Sequence, residues 1–161
     1  MNNKRTILHV DDDPQITRIV GARLKALGYD VTSVNDARLV LEELSRSHQK
    51  LVLLDIDMPH VDGLELLRQI KTSNGGTQVI MLTGLTNVQT ALQSFRWGAE
   101  FCLFKPIGDL RPLLEAVERT FWKIDQWWSV LQHISQAKRT VQSDEYQPKE
   151  LSGSVRSRVR Q

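Results

Sequence analysis

Leu51-Val52-Leu53-Leu54-Asp55-Ile56-Asp57-Met58-Pro59 is an apolar run without alternation that stops at an acid. Consecutive aliphatic residues of strand length, bounded by polar sequence, read as a strand buried on both faces, the habit of a parallel sheet. The arrangement recurs along the chain. Thr6-Ile7-Leu8-His9-Val10 stops at Asp11, Asp12 and Asp13; Val79-Ile80-Met81-Leu82 stops at Thr83; Phe101-Cys102-Leu103-Phe104 stops at Lys105. In a parallel sheet these ends emerge on one edge, which then gathers carboxylates, a hydroxyl and an ammonium. Carboxylates crowded together repel, so they need protons or a cation. Oxygen ligands suit Mg²⁺, which keeps one or two carboxylates with waters and a phosphate. The edge reads as a place for Mg²⁺-dependent phosphoryl chemistry.

Between the apolar runs the period changes to that of a helix. Ile16, Ile19, Val20, Leu24 and Leu27 recur at steps of three and four, behind an Asp13-Pro14 start and before Gly28. Val31 to Val34 gives a second, weaker strand, and Val40, Leu41 and Leu44 mark a helix capped by Asn35 or Asp36. Met58-Pro59-His60-Val61-Asp62-Gly63 reads as a loop before a helix through Leu64, Leu67 and Ile70. Val88, Ala91, Leu92 and Phe95 mark the fourth helix. Strand and helix alternate in five units, which predicts a doubly wound α/β domain.

The fifth helix starts near Asp109 and meets no breaker until past Trp128. Leu110, Leu114, Val117, Phe121, Ile124, Trp128 and Leu131 follow steps of four and three, about three heptads. Ser135 interrupts the stripe. Residues 140–161 lack periodicity, hold Pro148 and an Arg-rich end, and read as a disordered tail. The expected organisation is a domain over 1–122, a helical extension over 123–139 suited to coiled-coil pairing, and the tail.

The chain has 161 residues and a net charge of +2, from 21 basic and 19 acidic side chains. That balance points to neither nucleic acid nor a membrane surface. Cys102 is the one cysteine, so no internal disulfide forms, and it reads as a small buried hydrophobe. No apolar stretch approaches the ~18–20 residues of a membrane helix, and no signal peptide is visible, which leaves the cytoplasm as the expected compartment.

Four motifs in order resemble the receiver domain of bacterial two-component response regulators, over roughly residues 5–122. Val10-Asp11-Asp12-Asp13-Pro14 is similar to the acidic pair after strand one, and Leu53 to Gly63 to the phosphoacceptor strand end and its loop. Met81-Leu82-Thr83-Gly84 resembles the hydroxyl site at strand four, and Phe104-Lys105-Pro106 the lysine followed by a proline with a usually cis bond. The resemblance implies a flavodoxin-like five-stranded sheet of order 2-1-3-4-5. It implies Asp55 as phosphoacceptor, taking its phosphoryl group from a sensor histidine kinase or a phosphotransfer protein. It implies Mg²⁺ on Asp11, Asp12, Asp55 and the backbone carbonyl of Asp57, with Lys105 and Thr83 on the phosphoryl oxygens. Such a protein is no enzyme in the ordinary sense, since it catalyses only its own phosphorylation and dephosphorylation.

Other residues carry blander readings. Asp13 reads as a helix cap, Asp62 as a turn or cap residue before the third helix, His9 as a satisfied core histidine, and the Asp57 side chain as either lining the mouth of the site or merely solvated. His48, His60 and His133 have no partners at metal-ligand spacing. Cys102 departs from the family, which commonly carries an aromatic residue three positions before the lysine. Cys102 is too small to act as that switch, and strand alternation points its neighbours Phe101 and Phe104 elsewhere.

Two functions fit. In the first, the chain is a stand-alone receiver that signals by contact with an unknown downstream protein, with no direct DNA binding, and forms a homodimer through helix five. In the second, it is an interaction protein on a receiver fold whose dimerisation ignores phosphate. A haloacid-dehalogenase-like hydrolase is a distant third, because it needs a cap domain for which there is no room.

Overall fold

The computed structural model describes residues 4–84, 87–105 and 108–144, the side chains of 137–144 excepted. Compact packing divides the chain into a unit ending at Ile124 and a second beginning at Asp125.

In the first unit five parallel strands form one sheet: β1 (Thr6–Val10), β2 (Asp30–Val34), β3 (Leu51–Asp55), β6 (Gln78–Thr83) and β7 (Phe101–Phe104). Their order is β2-β1-β3-β6-β7, the predicted 2-1-3-4-5 counted over the sheet strands. Every residue of β3 is buried, as its unbroken apolar run requires. Strand alternation then splits the core. Ile7, Leu51, Leu53, Ile80 and Leu82 pack under α1 (Pro14–Ala26) and the first part of α5 (Arg111–Asp144). Leu8, Val10, Val52, Leu54, Val79 and Met81 pack on the other face, against α2 (Val40–Arg46) and α3 (Gly63–Ser73).

The caps are those read from the sequence. Asp13, Asp36 and Asp62 each accept the amide two residues on, at Gln15, Arg38 and Leu64. Gly28, at φ +89°, ends α1 in the left-handed region where a side chain would be strained. The turn after Asp36 is a short 3₁₀ segment, Ala37–Leu39, before α2 begins.

The stretch read as a loop after β3 holds a hairpin of β4 (Asp57–Met58) and β5 (Val61–Asp62). Asp57 pairs with Asp62 and Met58 with Val61, leaving Pro59-His60 as a two-residue turn. Proline fixes the first central position and His60 takes φ +66° at the second, as a type II turn demands. Gly63 follows where only glycine fits: a Cβ there would lie 2.5 Å from the carbonyl oxygen of Asp55 and 2.6 Å from Cα of Ile56.

Helix α4 (Val88–Arg96) turns its polar residues inward. Thr90 and Ser94 are buried, and Ser94 returns its hydroxyl to the Thr90 carbonyl at 2.9 Å. The apolar Val88, Leu92 and Phe95 that marked it in sequence face solvent, Val88 at 71% exposure. The stripe on α5 also shifts. Leu113, Ala116 and Thr120 join Val117, Phe121 and Ile124 in burial, whereas Leu110 and Leu114 are only partly covered. The helix runs on to Asp144, and residues read as tail beyond it lie outside the described residues.

Two expectations are corrected. His9 is fully buried, but neither ring nitrogen has a hydrogen-bond partner among the described residues, so it is not satisfied. Burial lowers its pKa to about 4, with Asp11 opposing and Lys105 assisting. Phe101 packs beside Leu103 in one core and Cys102 against the other, as alternation requires. Phe104 lies two residues beyond Cys102 and so on the same side of the pleat, where it is 51% exposed.

Replacing His60 with Gly relieves the left-handed strain, and thermal or urea unfolding should register a gain of about 0.5–1 kcal/mol. His9→Leu removes two unpaired buried nitrogens and should raise stability by about 1–3 kcal/mol at neutral pH. The gain should widen on acidification. Below ~6.5 the unfolded chain protonates this imidazole, while the folded imidazole stays neutral down to about 4, so wild-type stability falls over that window. Urea titrations of both proteins at pH 7 and pH 5 measure the difference; a gain that shrinks at pH 5 contradicts it.

Candidate phosphoacceptor site

The parallel order sets the site. β1 and β3 are neighbours, so the residues that follow Val10 and Leu54 leave the sheet side by side. Asp11 and Asp55 are there, both almost wholly buried, with Asp12 exposed beside them. β7 adjoins β6, and the Lys105 amide donates to the Thr83 carbonyl at 2.7 Å. The Lys105 side chain then reaches back across that strand. Its Nζ lies 2.7 Å from Oδ2 of Asp11 and 3.1 Å from Oδ2 of Asp55.

Each acid is anchored by backbone. Oδ1 of Asp11 accepts the Asp13 amide at 3.0 Å, while the Asn35 side chain donates to the Asp11 carbonyl at 2.7 Å and to the Thr17 hydroxyl at 3.0 Å. Oδ1 of Asp55 accepts the Asp57 amide at 3.3 Å. Ile56 donates to the Leu82 carbonyl at 2.9 Å and accepts from Gly63 at 3.3 Å, which fixes the chain just past Asp55.

Electrostatics follow from burial. Loss of water pushes the Asp55 carboxyl up, against the pull of Lys105. Burial alone would lower the Lys105 ammonium, but Asp11 and Asp55 outweigh it and raise it. Asp11, Asp12 and Asp55 each offer an oxygen, all within 4.8 Å of one another. Three carboxylates against one ammonium leave two negative charges, which one divalent cation cancels. An all-oxygen donor set with one exposed member fits a hard ion that keeps its waters, so these residues suit Mg²⁺.

The sequence-derived residues therefore converge: Asp11, Asp12, Asp55 and Lys105 form one cluster. Thr83 is buried at the end of β6, and its hydroxyl donates to Oδ2 of Asp57 at 3.4 Å. The same oxygen accepts the Gly84 amide at 3.0 Å. The Asp57 side chain, exposed as it is, thus has protein partners. The sequence missed Asn35 as a support for Asp11; its place at the end of β2, beside β1, was the available signal. The expected cis bond at Pro106 lies outside the described residues.

The arrangement has parallels in known proteins. The model of the response regulator receiver domain matches residues 7–118. The regulatory protein AtoC of Escherichia coli K12 is 31% identical, over 83% of this chain and 29% of its own length. The chain spans less than half the length of the curated relatives it matches first. Among solved structures, a CheY-like receiver domain protein from Methanospirillum hungatei is 29% identical. It superposes with a TM-score of 0.73, covering 77% of this chain and 98% of that one. The response regulator TrrA of Thermotoga maritima, solved in complex with Mg²⁺ and beryllofluoride, is 28% identical with a TM-score of 0.65, covering 72% and 98%. By sequence and by fold alike, the chain belongs to the response regulator receiver domain family.

Proposed function

We propose that the chain accepts a phosphoryl group on Asp55 from a histidine kinase or a phosphotransfer protein and signals through contact with another protein. The observation that carries this reading is the buried Asp55 carboxylate, held 3.1 Å from the Lys105 ammonium and beside Asp11 and Asp12. An Asp55 oxygen attacks the phosphorus of a phosphohistidine, the P–N bond breaks with its electrons returning to the imidazole, and an acyl phosphate remains. Transfer of this kind is catalysed by position and charge. Asp11, Asp12, Asp55 and the Asp57 carbonyl would hold Mg²⁺, which supplies positive charge to the phosphoryl oxygens. Lys105 neutralises the same charge from the opposite side, leaving Asp11 in part to do so. Thr83 donates its hydroxyl to one phosphoryl oxygen. The cytoplasm, where kinases of this class present their phosphohistidine, is the compartment that suits this role; among the described residues no helix is long and apolar enough to cross a membrane.

Output by contact has its own support. Val88, Leu92 and Phe95 on α4 are exposed, as is Phe104 on the neighbouring β7. Water-facing apolar groups in such number mark a surface that meets a partner.

Incubation with acetyl phosphate and Mg²⁺ should add one phosphoryl group by intact mass, and Asp55→Asn should add none. Lys105→Ala should be phosphorylated poorly and respond weakly. Stoichiometric labelling of Asp55→Asn would refute the assignment.

A second reading, pairing through α5, rests on a different observation. Trp127, Trp128, Val130, Leu131 and Ile134 are each at least half exposed, Trp127 at 64%. Trp127, Leu131 and Ile134 follow steps of four and three, so they share one face. Trp122 does not join them: nine residues from Leu131, at 3.6 residues per turn, it falls on the opposite side of the helix. Two tryptophans of about 150–250 Å² each offer a second copy an apolar seam. The chain is expected to sediment as a dimer at micromolar concentration, and Trp127→Ser with Leu131→Glu to sediment as a monomer. A monomeric wild type at that concentration rules the pairing out.

A further inference from the structure

Three contacts converge on Asp57. Its amide donates to Oδ1 of Asp55 at 3.3 Å. Its Oδ2 accepts the Gly84 amide at 3.0 Å and the Thr83 hydroxyl at 3.4 Å. The carboxylate has open access to water, yet it is directed onto the end of β6. Its backbone is held for this by the hairpin, where Asp57 pairs with Asp62 and Asp62 in turn caps α3.

From these contacts we infer that Asp57 is a positioning residue that holds the Thr83 hydroxyl away from Asp55 while the protein is unmodified. The inference rests on Asp55 being the phosphoacceptor. A hydroxyl has one proton to donate. While that proton lies on Oδ2 of Asp57, it does not serve a phosphoryl oxygen on Asp55. Phosphorylation therefore competes with Asp57 for Thr83. The second bond, from the Gly84 amide to the same oxygen, ties that competition to the backbone leaving β6. Asp57 thereby sets how readily the site takes up its phosphorylated arrangement, and does so from the residue whose amide already touches Asp55. Charge acts in the same direction, since a carboxylate repels an incoming phosphoryl group. The hydrogen-bond effect and the charge effect are separable, because only the first passes through Thr83.

The test is a titration with beryllofluoride and Mg²⁺, a phosphoryl mimic that is not hydrolysed. Wild type, Asp57→Ala and Asp57→Asn are each compared in the Thr83 and the Thr83→Ala backgrounds. Asp57→Ala should bind beryllofluoride about 3–10-fold more tightly than wild type, the size of one released hydrogen bond. In the Thr83→Ala background the advantage should fall to within about twofold, the non-additivity of two groups that act on each other. Amide hydrogen exchange gives a reading with neither Mg²⁺ nor beryllofluoride present. Exchange at Gly84 should accelerate at least about tenfold in Asp57→Ala and stay near wild type in Asp57→Asn, which retains an acceptor oxygen. Equal tightening in both backgrounds assigns the effect to charge alone and overturns the inference, as does unchanged exchange at Gly84. If wild type accepts acetyl phosphate on Asp55 but Asp57→Ala binds like wild type, the inference fails and the phosphoacceptor reading stands. If wild type takes neither acetyl phosphate nor beryllofluoride, both fail.

Discussion

A single ammonium inside a carboxylate pair constrains the rest of the site. Asp11 and Asp55 are buried at the ends of adjacent strands, and Lys105 reaches both from β7, across β6. Burying two like charges side by side is costly unless a cation meets them, and burying a lysine is costly unless acids do. Each group is tolerable only because the other two are present. The strand order must therefore bring β1 and β3 together and put β7 within one side chain's reach. The backbone past Asp55 must be fixed too. Gly63 permits this, since any larger residue would collide with the Asp55 carbonyl.

That constraint leaves a residual negative charge, and the chemistry of the site follows from it. Asp12 stands exposed at the mouth, where a cation can enter with its waters. Asp57 and Thr83 form a second layer, in which the Thr83 hydroxyl donates to the Asp57 carboxylate. The site thus has a charged floor built for binding and a hydrogen-bonded rim that can rearrange. A rim with an exposed acceptor reorganises at small cost, whereas the buried floor does not.

The surface divides in a comparable way. Helix α4 buries Thr90 and Ser94 and turns Val88, Leu92 and Phe95 outward. Ser94 satisfies its hydroxyl on the helix's own carbonyl, so burying it costs little. Cys102 belongs to the same region. Half-buried against the core on the α3 side, it holds less volume than an aromatic residue would.

The sequence by itself determined the alternation of strands and helices, the cap at Asp13, a cap at Asn35 or Asp36, and the gathering of Asp11, Asp12, Asp55 and Lys105 on one edge. These are local properties: an apolar run closed by an acid, a helical period, a side chain two residues from the amide it caps. Parallel pairing then carries the strand ends to one place without further information. Tertiary structure alone decided what depends on which neighbour arrives. Neither the orientation of α4 nor the shift of the buried stripe on α5 to Leu113, Ala116 and Thr120 is written in hydrophobicity, because the facing surface selects the stripe. His9 reads as a satisfied core histidine, yet among the described residues its two nitrogens have no hydrogen-bond partner. Asp57 and Thr83 are 26 positions apart, and their hydrogen bond exists only because β3 and β6 pair in the sheet and the hairpin after β3 turns one carboxylate back toward it.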